Sequence, residues 1–267
     1  MQRPTMFGSR RVAPDTIALR SYAPLPGFGI VPVHAHVIRA RQPVLVDTGI
    51  AALQHEFMRE LRSVIDPAAL RWIWLTHLDA DHVGNLRAVL AEAPQARVVT
   101  NYLGMGKMDL QQLPLDRVYL LNPGQTLDAG DRHLVALQPP CYDAPETMGL
   151  FDARTRTLFS ADCFGALMAD PAERAQDMSA AALREGIVGW AAIDAPWLRR
   201  MPASYLATGF GMLRDFAPEV VLGSHLPPAT GMLDTLFQHL VDAREALPFV
   251  GPDQAMMERM RGLKKAA

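Results

Sequence analysis

Residues 76–85 read Thr76-His77-Leu78-Asp79-Ala80-Asp81-His82-Val83-Gly84-Asn85, and they directly follow an apolar stretch at residues 71–75. This apolar stretch predicts a buried strand, and side chains alternate along an extended backbone, so that His77, Asp79 and Asp81 can point to one side. With His82, four common metal ligands fall within six residues. The alternative is a solvated turn in which one aspartate caps a helix. Because a cap needs only one aspartate, the segment predicts a metal site.

The sequence around this segment alternates between short apolar runs and runs with helical spacing of apolar residues. Predicted strands lie at residues 16–20, 35–40, 44–46, 71–75, 97–100, 133–137, 149–151, 157–159 and 220–223. Predicted helices lie at residues 51–65, 86–91 and 179–197, and in the tail from residue 232 onward. This alternation predicts an α/β layered fold. Because proline and glycine are scattered and no linker is visible, we expect a single domain over residues 1–267.

Two later strands also end in a potential metal ligand. Leu158-Phe159-Ser160-Ala161-Asp162 delivers a carboxylate, and Val220-Val221-Leu222-Gly223-Ser224-His225 delivers an imidazole. Each signal alone is weak, since a lone Asp or His after a strand is more often a turn residue. Together with residues 76–85 they repeat one arrangement, in which a strand places a ligand at its carboxyl end, where sites of α/β proteins gather.

Four segments carry a resemblance to the metallo-β-lactamase superfamily over almost the whole chain: Asp47-Thr48-Gly49, residues 77–85, residues 158–165 and Gly223-Ser224-His225. The resemblance implies an αββα sandwich with two metal ions at one edge of its sheets. The usual first motif of the superfamily is His-x-His-x-Asp-His, and Asp79 stands where the second histidine is expected. The flavodiiron proteins and their oxygen-binding di-iron relatives carry a carboxylate at this place. The chain therefore resembles the metal domain of that branch.

The resemblance also implies a ligand between the first motif and Asp162, where the family normally has a histidine. Matching Pro145 and Gly149 to the family pattern puts Asp143 at that position, and a role of Asp143 as a turn residue stays open. The implied ligands are His77, Asp79 and Asp143 for one metal, Asp81 and His225 for the other, and Asp162 as a bridge. His82 is expected close to the metals, with its role as a ligand undecided. Asp47 is expected to support the first-motif loop by hydrogen bonds.

The predicted ligand set indicates the class of metal. Four carboxylates and two or three imidazoles make an oxygen-rich site, which suits iron or manganese, whereas zinc favours nitrogen and sulfur. Four carboxylate charges neutralise two divalent ions and tolerate oxidation to the trivalent state. We therefore expect two iron ions, with zinc or manganese as alternatives.

Two functions follow from these expectations. The first is a di-iron protein that binds or reduces dioxygen or a related small oxidant. The chain ends at Ala267, so we expect it to carry no flavin domain and to take electrons, if it is a reductase, from a separate flavoprotein or rubredoxin-like donor. It could also only bind or sense its ligand, so its status as an enzyme stays open. The alternative is a metal-dependent hydrolase of an ester, lactone or thioester, in which two metals share a hydroxide.

Bulk composition excludes some partners. The chain has 267 residues, 49% of them hydrophobic and 20% charged, with a formal net charge of -2. This balance gives no reason to expect nucleic acid or an anionic membrane as a partner. Residues 1–11 do not resemble a signal peptide and no apolar run is long enough to span a bilayer, so we expect a cytoplasmic protein. The two cysteines, Cys141 and Cys163, are expected to pack in the core.

Tryptophans mark two further features. Trp72 and Trp74 alternate along a predicted strand and are expected to pack against helices on one face. Trp190 and Trp197 lie in the alanine-rich helical stretch at 179–197. That stretch follows Asp162 closely in sequence, so it could roof the site or form a homodimer contact, with core packing as the simplest role.

Overall fold

Two mixed β-sheets pack face to face and carry helices on their outer surfaces. The computed structural model describes residues 3–260. Residues 1–2 and 261–267, which belong to the predicted single domain and in part to the predicted helical tail, lie outside the described residues. This layering confirms the αββα sandwich expected from the sequence.

The first sheet contains the strands of the amino-terminal half. They are β1 (Thr5–Ala13), β2 (Thr16–Leu25), β3 (Gly29–Pro32), β4 (Ala35–Ile38), β5 (Val44–Val46), β6 (Trp72–Trp74), β7 (Arg97–Thr100) and β8 (Val118–Leu120). Their order is β1-β2-β4-β5-β6-β7-β8, with β3 paired to β2. The four strands β5 to β8 run parallel to one another. Their carboxyl ends therefore lie at the same edge of the sheet.

The second sheet contains the strands of the carboxyl-terminal half. They are β9 (Thr126–Asp128), β10 (His133–Leu137), β11 (Gly149–Asp152), β12 (Thr157–Phe159), β13 (Val220–Leu222) and β14 (Ala229–Thr230), in the order β14-β13-β12-β11-β10-β9. Strands β12 and β13 are parallel. Like β5 and β6, they end side by side, so loops from both sheets meet at one edge of the sandwich.

The helices divide between the two outer faces. They are α1 (Gln54–Val64), α2 (Ala80–Val83), α3 (Leu86–Glu92), α4 (Tyr102–Leu110), α5 (Ala180–Asp194), α6 (Ala203–Asp215), α7 (Leu233–Ala243) and α8 (Gln254–Met260). Apolar side chains of α1, α3 and α4 pack on the first sheet, and those of α5, α6 and α7 pack on the second. Within residues 3–260, no helix combines the length and the apolar character that crossing a bilayer requires.

The layer between the sheets corrects one expectation from the sequence. Trp74 is fully buried there, among residues of both sheets, and its indole Nε1 donates to the carbonyl of Met148 over 2.9 Å. Trp72 packs against the same cluster, whereas Ile73 faces the helices. The prediction that the two tryptophans pack against helices was wrong. Strand β6 is apolar on both faces, so its alternation does not tell the helix side from the sheet side.

Candidate metal centre

The first-motif loop leaves the carboxyl end of β6 and turns at once into the short helix α2. Asp79 stands at the N-cap position of α2, but its side chain makes no capping hydrogen bond. Its carboxylate is therefore free for another role, which counts against the simple capping alternative. Gly84 ends the turn where a Cβ atom would lie 2.3 Å from the backbone nitrogen of Ala51, so only glycine fits this close approach.

Three histidines surround the buried carboxylate of Asp162. His77 Nε2 lies 3.5 Å from Asp162 Oδ2, His82 Nε2 lies 3.2 Å from Oδ1, and His225 Nε2 lies 3.2 Å from Oδ2. The three imidazoles are 0–1% exposed, and the Asp162 side chain is 5% exposed. The loop after β6 of the first sheet and the helix α2 that follows it supply two of these imidazoles, and the loop after β13 of the second sheet supplies the third. The centre thus bridges the two halves of the sandwich.

Asp79, Asp81 and Asp143 join these histidines in two groups of potential ligands beside Asp162. In the first, the ligand atoms of His77, Asp79 and Asp143 all lie within 4.8 Å of one another. The second consists of Asp81, His82 and His225 under the same limit. Asp143 comes from the loop between β10 and β11, and its Oδ1 lies 4.0 Å from His77 Nε2. The structure therefore brings all seven residues together.

The Asp47 carboxylate connects the loop after β6 to the loop after β13. The backbone N–H and the hydroxyl of Thr76 donate to its carboxylate over 2.8 and 2.7 Å. His82 Nδ1 lies 3.0 Å from Asp47 Oδ2, and the Ser224 hydroxyl donates to the same oxygen over 3.3 Å. One buried carboxylate thus holds the loops after β6 and β13 together and orients His82, with its Nε2 toward Asp162.

Backbone strain is concentrated at this edge. Asp47 has a φ of +59° and Ala161, directly before Asp162, has a φ of +53°. A non-glycine residue in the left-handed region carries a conformational cost, and such residues cluster at functional sites. Here the cost falls on the residue that organises the loops and on the neighbour of the central carboxylate.

The site concentrates charge in a region removed from water. Burial alone would lower the pKa of His225, but the carboxylates of Asp162 and Asp81 outweigh it and raise the pKa to about 9. Burial opposes ionisation of Asp162, yet the surrounding imidazoles hold its pKa well below the ordinary value. Burial raises the pKa of Asp143, and the negative charge of Asp162 raises this pKa further. Carboxylates and imidazoles therefore depend on one another for charge compensation.

Unpaired buried atoms test whether these residues fit a metal. His77 Nε2, His82 Nε2 and Asp162 Oδ1 are buried and have no hydrogen-bond partner. Such atoms are rare in native proteins, because leaving one unpaired costs about 1–3 kcal/mol. All three point into the same space among carboxylates and imidazoles, the ligand types of two-metal sites. The donor set therefore fits metal ions.

Helix α5 covers the centre. The ring of Trp190 lies against His225, with 4.4 Å between the ring centroids. At the end of the helix, Asp194 brings a carboxylate oxygen within 4.8 Å of those of Asp143 and Asp162. Burial and the charges of Asp162 and Asp143 raise the pKa of Asp194 to about 8. The stretch was expected as a possible roof, but Asp194 was missed, since it belongs to no motif and sits at the end of an alanine-rich helix.

Comparison with known protein sequences identifies the family of this chain. The family profile described as ODP family beta lactamase matches residues 32–223. The putative diflavin flavoprotein A 1 of Thermosynechococcus vestitus is 30% identical over 135 residues, which cover 50% of this chain and 24% of that protein. The anaerobic nitric oxide reductase flavorubredoxin of Salmonella typhi is 29% identical over 134 residues, which cover 49% of this chain and 28% of that protein. The chain thus matches about a quarter of the length of these relatives.

Solved structures give the same fold. The rubredoxin oxygen:oxidoreductase of Desulfovibrio gigas superposes with a TM-score of 0.79 at 20% sequence identity, covering 90% of this chain and 62% of that one. The sequence resemblance, the αββα layers and the family match agree. The chain belongs to the ODP family of β-lactamase-fold proteins.

Proposed function

We propose that this chain holds two iron ions at the edge of its sandwich and uses them to bind or reduce dioxygen or a related small oxidant. The observation that carries this proposal is the shared position of Asp162. It lies between two groups of potential ligands, and all three imidazoles around it aim Nε2 at its carboxylate.

The proposed ligands follow these groups. His77, Asp79 and Asp143 would hold one ion, Asp81 and His225 the other, and Asp162 would bridge them. His82 stands beside the second group, with Nε2 3.7 Å from Asp81 Oδ2 and unpaired, which makes it a candidate for the second ion. Oxygen donors outnumber nitrogen donors in this set, which supports iron or manganese over zinc.

Carboxylate charge supports a redox role. The carboxylates of Asp79, Asp81, Asp143 and Asp162 balance two divalent ions and compensate part of the added charge when the ions are oxidised. An iron pair would supply the electron transfer toward a small oxidant that the side chains alone cannot perform. Trp190 closes one wall with an apolar ring, which limits water at His225. Asp47 keeps His82 and Thr76 in place, so that the loops need not rearrange when a ligand binds.

The names of similar proteins support this class of ligand. One is an oxygen oxidoreductase and another a nitric oxide reductase. Both act on small diatomic molecules, which a compact, roofed site admits. Electrons for any reduction would come from a flavoprotein or rubredoxin-like donor. A homodimer is compatible with the proposal and is not required by it.

Metal analysis together with spectroscopy tests the proposal. Protein purified from iron-replete cells without added metal is expected to contain about two iron ions per chain. Its reduced form is expected to change its absorption spectrum when oxygen or nitric oxide is admitted. A panel of esters, lactones and thioesters should show little turnover. Stoichiometric zinc with negligible iron, together with brisk hydrolysis and no spectral response, would overturn the proposal in favour of a metallo-hydrolase.

A further inference from the structure

Asp194 brings a third carboxylate to a place where two already meet. The oxygens of Asp143, Asp162 and Asp194 all lie within 4.8 Å of one another. Asp143 and Asp162 reach this place from loops of the second sheet, whereas Asp194 reaches it from the end of the covering helix α5. Carboxylates so close together disfavour one another's ionisation in a region partly removed from water.

The side chains that compensate these carboxylates are imidazoles, and they lie mainly around Asp162. Within residues 3–260, the cationic group found within 4.0 Å of the Asp143 carboxylate is the imidazole of His77, and Asp194 forms no ion pair. No lysine or arginine of the described chain forms an ion pair with Asp162 either. The carboxylates of Asp143 and Asp194 are thus left with little positive charge, which indicates that a cation belongs among the three.

Unpaired buried atoms mark where that cation lies. His77 is fully buried, and its Nε2 has no hydrogen-bond partner, although it faces Asp162 Oδ2 at 3.5 Å and Asp143 Oδ1 at 4.0 Å. Asp162 Oδ1, which faces His82 Nε2 at 3.2 Å on the other side of the centre, is likewise buried and unpaired. An unpaired imidazole nitrogen among carboxylate oxygens is a ligand arrangement, and it points to the side of the centre formed by His77 and Asp143.

Helix α5 and its neighbours fix the position of Asp194. The helix begins at an N-cap serine, Ser179, whose hydroxyl accepts from the backbone of Ala182 over 3.1 Å. It ends beside the Asp143 loop, because Trp197, just after the helix, donates its indole N–H to the carbonyl of Tyr142 over 2.9 Å. Asp194 is therefore held relative to Asp143 by a hydrogen bond to the adjoining residue. A preformed site needs such support.

We propose that Asp194 is an additional metal-binding residue, which contributes its carboxylate to the ion held by His77, Asp79 and Asp143. The inference rests on the proposed di-metal function and deepens it. With Asp194 the centre carries five carboxylates, whose charge exceeds that of two divalent ions. Such a set favours hard cations of high charge, so it selects for iron and stabilises the oxidised state of the pair.

The test compares two variants that change an aspartate at the end of a helix. Asp194→Asn removes the proposed ligand charge with little change of shape, and Asp215→Asn does the same at the exposed end of α6. Iron content as purified, and ferrous ion affinity by competition with a chelator, are measured for both variants and wild type. We expect Asp194→Asn to weaken binding of one of the two ions about tenfold or more. Asp215→Asn should bind like wild type.

Stability of the metal-free protein separates ligation from a structural role. Because Asp194 crowds two other carboxylates, metal-free Asp194→Asn should melt at or above the wild-type temperature, while its stabilisation by added iron shrinks. Asp194→Glu keeps a carboxylate and should bind iron more tightly than Asp194→Asn. Wild-type iron affinity in Asp194→Asn, or a metal-free variant that melts well below wild type, would overturn the role of Asp194. If wild-type protein itself binds no metal pair, the proposed function fails as well, and the two failures are thereby distinguished.

Discussion

His225 Nδ1 lies 2.6 Å from the carbonyl oxygen of Pro32, a residue 193 positions earlier in the chain. Because a carbonyl only accepts hydrogen bonds, Nδ1 carries the hydrogen, and Nε2 of the neutral ring is left with a free lone pair. Nε2 is the atom that faces Asp162 and Asp81, at 3.2 and 3.5 Å. The end of β3 in the first sheet thus sets the tautomer of a side chain delivered by the second, and the site depends on the packing of the sheets.

Asp47 should affect metal binding without touching a metal. Asp47→Asn replaces one of the two acceptor oxygens by an NH2 group, which cannot accept a hydrogen bond from Thr76 or His82, so the first-motif loop loses part of its support. Asparagine tolerates the left-handed backbone at this position, so the change acts through the side chain. We expect metal affinity to fall about 10- to 100-fold, measured by chelator competition. Unchanged affinity would show that Thr76 and His82 are held by other contacts.

Much of the sandwich could be predicted from short apolar runs. The predicted strands at 44–46, 97–100, 133–137 and 157–159 coincide with observed strands, because buried β-branched and apolar residues left few other options. The amino-terminal strand Thr5–Ala13 was missed. It is an edge strand with side chains that alternate between exposed and half-buried, so it lacks the apolar run that marked the others.

The candidate site was predictable where ligands follow strands directly. His77, Asp162 and His225 each come three residues after the end of an apolar strand, so the sequence alone indicates where they lie. Asp143 lies in a long loop and was found only through resemblance. Asp194 lies 32 residues after Asp162, and its place depends on how helix α5 folds back over the edge; no local pattern encodes such a tertiary contact.

Two buried histidines predict how stability depends on pH. Burial lowers the pKa of His36 to about 4, and burial also lowers that of His34 well below the ordinary value. In the unfolded chain both titrate near 6.5. At these two positions the unfolded state therefore binds more protons between these values, so each histidine contributes a loss of stability as pH falls from about 6.5 to about 4. His36 alone accounts for about 3 kcal/mol over this range.

Chemical denaturation in the presence of a chelator, at several pH values, measures this slope. His36→Gln removes one titrating group and should flatten it, whatever its effect on stability at neutral pH. His133 is exposed and serves as the control, since His133→Gln should leave the slope unchanged. An unchanged slope in His36→Gln would show that His36 becomes protonated without unfolding.

An ion pair between a partly exposed lysine and a buried glutamate should stabilise the loop that carries Asp143. Lys107 Nζ on α4 lies 2.6 Å from Oε1 of Glu146, whose side chain is fully buried. Lys107→Gln would leave a buried carboxylate without its partner, and we expect it to cost about 2 kcal/mol of unfolding free energy. Glu146→Gln combined with Lys107→Gln should cost less than the sum of the single changes. Additive losses in this double-mutant cycle would contradict a direct interaction.

Arg62→Gln is the control for these changes. Arg62 pairs with Glu92 at the surface, so this change should leave the free energy of unfolding unchanged.

Metal selection should depend on Asp79, the position at which the chain departs from the usual superfamily motif. Asp79→His would restore that motif, remove one negative charge and replace an oxygen donor by nitrogen, which suits zinc. The N-cap position of Asp79 makes no capping hydrogen bond, so the exchange should leave α2 intact. We therefore expect a higher zinc-to-iron ratio and a weaker oxygen-dependent absorption change of the reduced protein. Metal analysis and anaerobic-to-aerobic spectra of both proteins measure these effects.

The control for this exchange is Asp116→His, which adds an imidazole at an exposed loop position. It should retain the wild-type metal ratio and spectrum, so that any change in Asp79→His reports on the centre and not on an added surface ligand. If Asp79→His keeps the wild-type ratio, Asp79 does not select the metal. Selectivity would then belong to the remaining carboxylates, Asp81, Asp143, Asp162 and Asp194, because they are the oxygen donors left around the three imidazoles.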